Sequence, residues 1–523
     1  MEDPVSLVFP EQSTDSLSSV LAMIRRHHAT NQPTGSVSSV QAMIQGNLYP
    51  PNQTHLNSPQ SPSKQPKYSP VFEAPNEDLF STLPDSLLQE ILCFLAIEDA
   101  IKTSLLSRRW RSLWTQMPTL SFTREYFAVK HAKRAEFVNE TLRRFTGPKI
   151  KNFLINLKFH DSMNVSLEEW VLFATTHRVE KLSLIFDGGF LYAPFAESKP
   201  FSLPQFLYLS WSLKDLILRQ CVVLPTRQVS WPRLKVLSIN YSRLTSEAIE
   251  NVLSGSPNLQ KLKLHNCGGV NRICSMSLET LEVDAIYELH EKNEVMHALS
   301  LSKANLSFVM TIDKKDKYDC AKHRSILRDL LEKLCHVEKL TVGTWCFQAG
   351  FINMGNKKGM SSPLSKCHCL VLDTEICEWD IPGIVSLLQS SPYLKKLVIN
   401  LYCFDNSKFE FDQSFFDSYE FDGVEFLAST NWIFKCFLQS MEDIELAGFQ
   451  QSSSGSRFLV KFMKFLFSNA KVLKKVAIYE QSGALHKSWK FSGPNMNMEL
   501  ESTKRNQIIL KLSSGIPLNA VSQ

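Results

Sequence analysis

Three short stretches hold side chains whose types and spacing could do chemistry. At 367–369 the order Cys-His-Cys places three metal-capable groups in a row. Adjacent ligands cannot close a tetrahedral site without further Cys or His at workable spacing. Because the tripeptide leads into LVLD, Cys369 is expected to face a core. At 355–361 GNKKGMS suggests a phosphate cradle, but its glycines are only four apart and no lysine follows Gly359. The third stretch, LSRRWRSLW at 106–114, puts three arginines and two tryptophans into nine positions. Those are the ingredients of a platform on which bases stack while phosphates are neutralised. The histidines are dispersed, with neither a zinc-protease helix motif nor a nucleophile elbow. No catalytic residue, metal or cofactor is therefore expected.

Helical projection separates the ingredients of the third stretch. At about 100° per residue, Leu106, Trp110, Leu113, Trp114 and Met117 fall in one stripe, and Arg108, Arg109 and Arg111 take the remaining arc. Rings and cations face different ways, so the spacing predicts an amphipathic helix and not a nucleic-acid platform. Two shorter helices are expected before it. In LPDSLLQEILCFL, Leu87, Ile91 and Leu95 recur at four-residue steps beside Leu88 and Leu92, Pro84 suits the first helical position, and Asp85 charges the first turn. IEDAIKTSLL follows, with Asp99 breaking its apolar run. Roughly 35 residues this rich in Leu, Ile and Trp form too small a unit to bury them all, so part of the stripe is expected to meet a partner.

The elements that must position this surface belong to a long, ordinary-looking chain of 523 residues, 44% hydrophobic, with a net charge of +5. The cationic residues are scattered among acidic ones, which argues against nucleic acid as a partner. Arg124, Lys130, Lys133, Arg134, Arg143 and Arg144 surround FVNETLRRF, where a helix is expected to pack Phe137, Val138, Leu142 and Phe145 on the first repeats beneath a solvated charged face. The 12 cysteines show no C-x-x-C pair, the N-terminus MEDPVSLVF is acidic, and no apolar run suits a membrane span. Reduced thiols in the nucleus or cytoplasm are expected, with no membrane partner. Residues 1–75 are rich in Ser, Pro, Gln and Asn and are expected to be disordered, although SSVLAMI at 18–24 recurs as SSVQAMI at 38–44.

Farther along, a polar-Leu-polar-Leu phrase keeps returning: EKLSL at 180–184, KDLIL at 214–218, KVLSI at 235–239, QKLKL at 260–264, ETLEV at 279–283, EKLTV at 338–342, KKLVI at 395–399, EDIEL at 442–446 and KKVAI at 474–478. Such alternation predicts short strands with one apolar face. Leu216 to Leu237 is 21 residues, Leu237 to Leu262 is 25 and Leu262 to Leu281 is 19, close to the leucine-rich-repeat period. Between strands, SEAIENVLSGSPNL predicts a helix capped by Ser246 with Ile249, Val252 and Leu253 on one face. A degenerate copy is expected at NLSFV, 305–309, and a Phe/Asp-rich insertion at 400–431. The fold class is α/β: a small all-helical unit, then an irregular solenoid lining a concave surface, with a mixed α/β sandwich as the alternative.

Two segments carry a resemblance. LPDSLLQEILCFLAIEDAIKTSLLSRRWRSLWTQMPTL, 83–120, resembles an F-box throughout, from the Leu-Pro opening to Ser-Arg-Arg-Trp. Residues 436–480 resemble the FBD module that follows leucine-rich repeats in a large plant group of F-box proteins. Its markers are Gly448-Phe449 after a strand, a helix with Leu459, Phe462 and Phe465 or Leu466 inward, then Asn-Ala-x-x-Leu before another strand. SSSGSR stands before that helix, where the module ordinarily carries acidic residues. The resemblance implies a tail at 1–75, an F-box at 79–120, repeats at 121–430, an FBD cap at 431–480 and an extension at 481–523. It also implies a non-catalytic substrate-recognition subunit of an SCF-type ubiquitin ligase, docking on a Skp-family adaptor and through it on cullin and RING subunits. Leu83, Pro84, Ile91, Leu92, Leu95, Leu106, Trp110 and Trp114 would then supply the adaptor contact or the packing directly behind it, while the repeats hold an unknown protein substrate. The alternative is a ligase-independent scaffold or ligand-binding protein.

Overall fold

The computed structural model describes residues 79–512, leaving out chiefly 124–131, 188–199, 289–299, 312–319, 352–363, 402–422, 430–439 and 450–458. The tail with its SSVxAMI repeat, the GNKKGMS stretch and most of the 400–431 insertion lie outside the described residues. The chain divides into two units, Met1–Leu154 and Ile155–Gln523.

In the first unit, short helices Leu79–Thr82, Asp85–Leu92, Ile97–Lys102 and Trp110–Leu113 precede a strand, Thr119–Thr123, and a longer helix, Ala132–Arg144. Pro84 (φ −65°, ψ 151°) stands one residue outside the helix it was expected to begin. Glu98 and Asp99 occupy the first turn of the next helix and Lys102 its last, matching the helix dipole. The stretch 106–117 is not one helix: turn residues occupy 106–109, the α-helix covers only Trp110–Leu113, and a 3₁₀ turn covers Trp114–Gln116. Even so, Trp110, Leu113, Trp114 and Met117 are all buried. The unit is larger than the three-helix motif alone, because Leu120 and Phe122 of the strand and Val138, Leu142 and Phe145 of the long helix add to its core. Thr146 and Gly147 both donate backbone N–H groups to the Thr115 carbonyl, tying the end of that helix to the motif. Glu140 takes up Arg143 and Arg144, and Phe137 is only half-buried.

In the second unit, each polar-Leu-polar-Leu phrase forms a strand: Lys181–Asp187, Asp215–Arg219, Val236–Asn240, Lys261–His265, Thr280–Asp284, Lys339–Gly343, Lys396–Asn400, Asp443–Phe449 and Lys475–Ser482. Lys303–Leu306 and Cys369–Asp373 complete a parallel ladder that stays in register up to a shift between Ala447 and Phe449 in its last parallel pair. One line of side chains runs Leu182, Leu216, Leu237, Leu262, Leu281, Ala304, Leu340, Leu370, Leu397, Ile444 and Val476. All of them are buried. A second line two residues on, beginning Leu184, Leu218, Ile239 and Leu264, is buried with it. A parallel sheet needs its apolar face covered, and the segments between strands supply that cover: Asn164–Thr176, Ser246–Ser254, Cys320–Lys333 and Ile381–Gln389. Leu485–Ser492 then pairs antiparallel with Lys475–Ser482. No helix among the described residues is long and apolar enough to cross a membrane.

Several local expectations are corrected. The degenerate copy uses Ala304 and Leu306 as its apolar pair, two residues earlier than NLSFV suggested. Thr245, not Ser246, caps the repeat helix, its hydroxyl accepting from the Ala248 N–H at 3.1 Å, although Ile249, Val252 and Leu253 are buried as expected. Cys369 is level with Lys339 and Lys396 on the polar side of the strand, and Cys367 is the thiol in the core. Further strands form at Thr119–Thr123 and Asn152–Lys158, ahead of the first phrase. Beyond three strand ends a small polar side chain returns to the backbone: Cys221 Sγ toward the Arg219 carbonyl, Ser242 Oγ toward Asn240 and Cys267 Sγ toward His265. This is the Asn/Cys position of a leucine-rich repeat. In the FBD-like segment Leu459, Phe462 and Leu466 are buried while Phe465 is half-exposed. Gly448 has φ +80°, and a Cβ there would strike the Leu401 carbonyl, so the Gly-Phe marker sits where the strand register shifts.

Candidate functional site

The eight residues singled out in the first unit sort by burial. Ile91, Leu92, Leu95, Trp110 and Trp114 are core residues, Leu83 and Leu106 are half-buried, and Pro84 is exposed. The exposed large apolar side chains of the motif are instead Leu105, 70% exposed, and Leu87, 38% exposed. A signal for Leu87 was available: it lies about 90° from the centre of the arc formed by Leu88, Ile91 and Leu92. For Leu105 the signal was the adjacent pair Leu105-Leu106, since neighbouring residues of a turn cannot share one direction.

Arg109 assembles this surface. Its Nε donates to Asp85 Oδ1 at 2.8 Å, and its Nη2 reaches the same oxygen at 2.7 Å and the Leu83 carbonyl as well. The turn carrying Leu105 and Leu106 is thereby fastened to the start of the first helix, where Leu83, Pro84 and Leu87 stand. Behind it the Phe80 and Trp110 rings lie 6.3 Å apart. Of the expected basic face, Arg108 and Arg111 are exposed and Arg109 is committed to Asp85.

Glu98 is the unusual charge of this unit. Its Oε1 is buried without a hydrogen-bond partner, and burial pushes the carboxyl up to about 7. Nearby, burial also raises the Cys93 thiol.

The polar side of the ladder has its own organisation. Lys261 and Lys263 both reach Glu282, at 2.9 and 2.5 Å. Burial would raise the Glu282 carboxyl, but the two lysine hydrogen bonds outweigh it and hold the group below its usual range. Lys396 and Lys475 converge on Glu445 in the same manner. At the Cys-His-Cys stretch, Cys367 is buried, His368 is exposed and Cys369 half-exposed, and among the described residues no three His, Cys, Asp or Glu gather as a metal site. The arrangement can hold another chain by apolar contact and paired charge.

Comparison with known proteins gives the same order of segments. The F-box domain profile matches residues 80–122, the profile described as FBD-associated F-box protein At5g56370, LRR repeats, matches 167–399, and the FBD profile matches 433–478. The F-box/LRR-repeat protein At3g03360 of Arabidopsis thaliana is 34% identical over 376 residues, covering 65% of this chain and 74% of that protein. The putative F-box/LRR-repeat protein At3g18150 of the same plant is 32% identical over 425 residues, covering 77% and 86%.

Proposed function

Because the chain belongs to the plant F-box/LRR-repeat family with a terminal FBD module, we propose that it is the substrate-recognition subunit of an SCF-type ubiquitin ligase. The family as a whole acts as a non-catalytic adaptor of substrates. In this chain the F-box would dock on a Skp-family adaptor, which links it to cullin and RING subunits, and the repeats would hold a target protein. Its contribution is proximity: a target lysine held near a ubiquitin-charged enzyme meets it at high effective concentration.

The observation that carries this reading is the exposure of Leu87 and Leu105 on a unit whose other large apolar side chains are mostly inside. Exposed leucines gathered into one patch, as the Arg109–Asp85 tie between their two segments would gather these, have their use in an interface. Leu87, Leu105 and Pro84 would make the direct contact, with Leu83 and Leu106 at its margin. Ile91, Leu92, Leu95, Trp110 and Trp114 would be the packing that supports it.

The test is capture of a purified Skp-family adaptor by the full chain and by its Leu87→Asp/Leu105→Asp variant. Capture by the parent and loss in a variant with an unchanged circular dichroism spectrum is the expected result. A folded parent that captures no adaptor would favour a ligase-independent scaffold.

A further inference from the structure

We infer that Arg178, Trp211 and Arg233 form a docking site for an acidic segment of a target protein, an inference that rests on the substrate-receptor reading above. Trp211 is 51% exposed. The guanidinium carbon of Arg178 lies 5.5 Å from its ring centroid, and that of Arg233 also lies 5.5 Å away. Two like charges are thus gathered on one indole ring, whose quadrupole attracts both.

The sequence holds the three residues in place by their neighbours. Ser210 and Ser212 flank Trp211 and are buried, and Ser212 Oγ donates to the Val179 carbonyl at 2.8 Å. That bond ties the tryptophan loop to the residue following Arg178. Arg178 itself has φ 54°, the left-handed region, where Gly or Asn would be at ease and an arginine is strained. Arg233 lies in the turn closed by the Leu234 N–H on the Trp231 carbonyl.

Among the described residues the nearby ion pairs are made by other cations, Lys214 with Glu180 and Arg219 with Asp187, and neither Arg178 nor Arg233 has a carboxylate partner there. Glu180, two residues after Arg178, is taken by Lys214 at 3.0 Å. A guanidinium held over a ring by its charge still has N–H groups to offer a planar anion such as a carboxylate. Two residues before Trp211, Leu209 is 56% exposed, and Leu172 is exposed on the helix Asn164–Thr176, which packs against the turn Gln205–Leu209. Two cations with no carboxylate partner among the described residues, with exposed leucines on the neighbouring turn and helix, complement a segment of Asp and Glu that also carries an apolar side chain. The apolar contact is what distinguishes a peptide from a simple polyanion.

The probe is a fluorescein-labelled dodecapeptide of mixed Asp and Glu with one central Leu, titrated against the full chain by anisotropy. Its controls are the same peptide with Lys for each acid, the peptide with Ser for Leu, and a polyuridylate of matched length. The acidic probe is expected to bind, to weaken as salt is added, and to lose about tenfold in affinity in Arg178→Gln/Arg233→Gln and in Trp211→Ala, with adaptor capture unchanged. Absence of acidic-peptide binding by a chain that still captures the adaptor would overturn the docking site and leave the ligase reading standing. Binding untouched by the substitutions, or polyuridylate binding as tight and equally sensitive to them, would also overturn it. Loss of adaptor capture in the parent with arginine-dependent peptide binding intact would strike the ligase reading alone.

Discussion

Ser307 donates its hydroxyl to the Asp373 carboxylate at 2.6 Å across a whole intervening strand, above Gly343. The register places Leu306 level with Val342, and Gly343 level with Asp373, so only a residue without a side chain leaves the path open. Asn400 donates to the other Asp373 oxygen at 2.7 Å from the far side. Three strand ends are thereby tied through one nearly buried carboxylate.

Gly343→Val should sever this tie. A Cβ at that position already stands 3.2 Å from Ser307 Cα, and the added methyls would push Ser307 away and leave Asp373 short of a donor. A loss of about 1–3 kcal/mol is expected, read by urea denaturation. Ser307→Ala should lose less, since it removes the donor without displacing backbone. Equal stability of Gly343→Val and the parent would show that the tie contributes nothing.

Glu98 predicts a pH effect in the first unit. Its folded value of about 7 lies above the ordinary 4.5, with burial as the cause, so the folded state holds the proton more tightly than the unfolded state. The stability it contributes is fully present below about pH 4.5 and is lost as pH rises through about 7. Glu98→Gln should therefore match the parent at about pH 4 and exceed it at about pH 8 by on the order of 2 kcal/mol. Denaturation at the two pH values decides, and an unchanged difference between them would contradict the assignment.

Trp110 and Leu105 should separate folding from docking. Trp110→Ala opens a cavity in the core and is expected to lose about 3–5 kcal/mol of stability, lowering adaptor capture only through unfolding. Leu105→Ala, at an exposed position, should shift stability by no more than about 0.5 kcal/mol while weakening capture by about 1–2 kcal/mol. Paired denaturation and binding titrations on the two variants would expose the opposite pattern.

Thiol reactivity should follow depth. Cys335 is exposed, whereas Cys221, Cys267, Cys346 and Cys367 are buried. Burial raises all four thiols, Cys367 to about 11 and Cys267 to about 12. Since the thiolate is the reacting form, Cys335 should be labelled by a maleimide well before these four, which should react only as the fold opens. Peptide mapping after a timed pulse gives the order, and early labelling of Cys267 would place it wrongly in the core.

Legibility in the sequence followed the strength of local contrast. Strands such as Lys261–His265 alternate charge with leucine and were plain. Cys369–Asp373 was legible only as a run leading into a core, because Cys-Leu-Val-Leu carries no polar alternation, and the copy at Lys303–Leu306 was placed two residues late because alanine at 304 is a weak marker of a core. The residues proposed to dock were harder for another reason. Trp110 is buried with the Phe80 ring 6.3 Å away, and since Phe80 stands before residue 83, no periodicity within 83–120 records that packing. Arg109 was placed only in the arc away from the apolar stripe, because its partner Asp85 lies 24 residues earlier.

The apolar positions of the parallel ladder stay level from strand to strand although the interval between them runs from 19 residues, Leu262 to Leu281, to 47, Leu397 to Ile444. Doubling a connecting loop costs only about 0.6 kcal/mol in closure entropy, whereas slipping a strand by one residue would turn every leucine of its pair outward. Length is therefore cheap to change and alignment is not. A lineage carrying this fold can lengthen or rewrite the connections that meet other molecules while the rows of leucine beneath stay as they were.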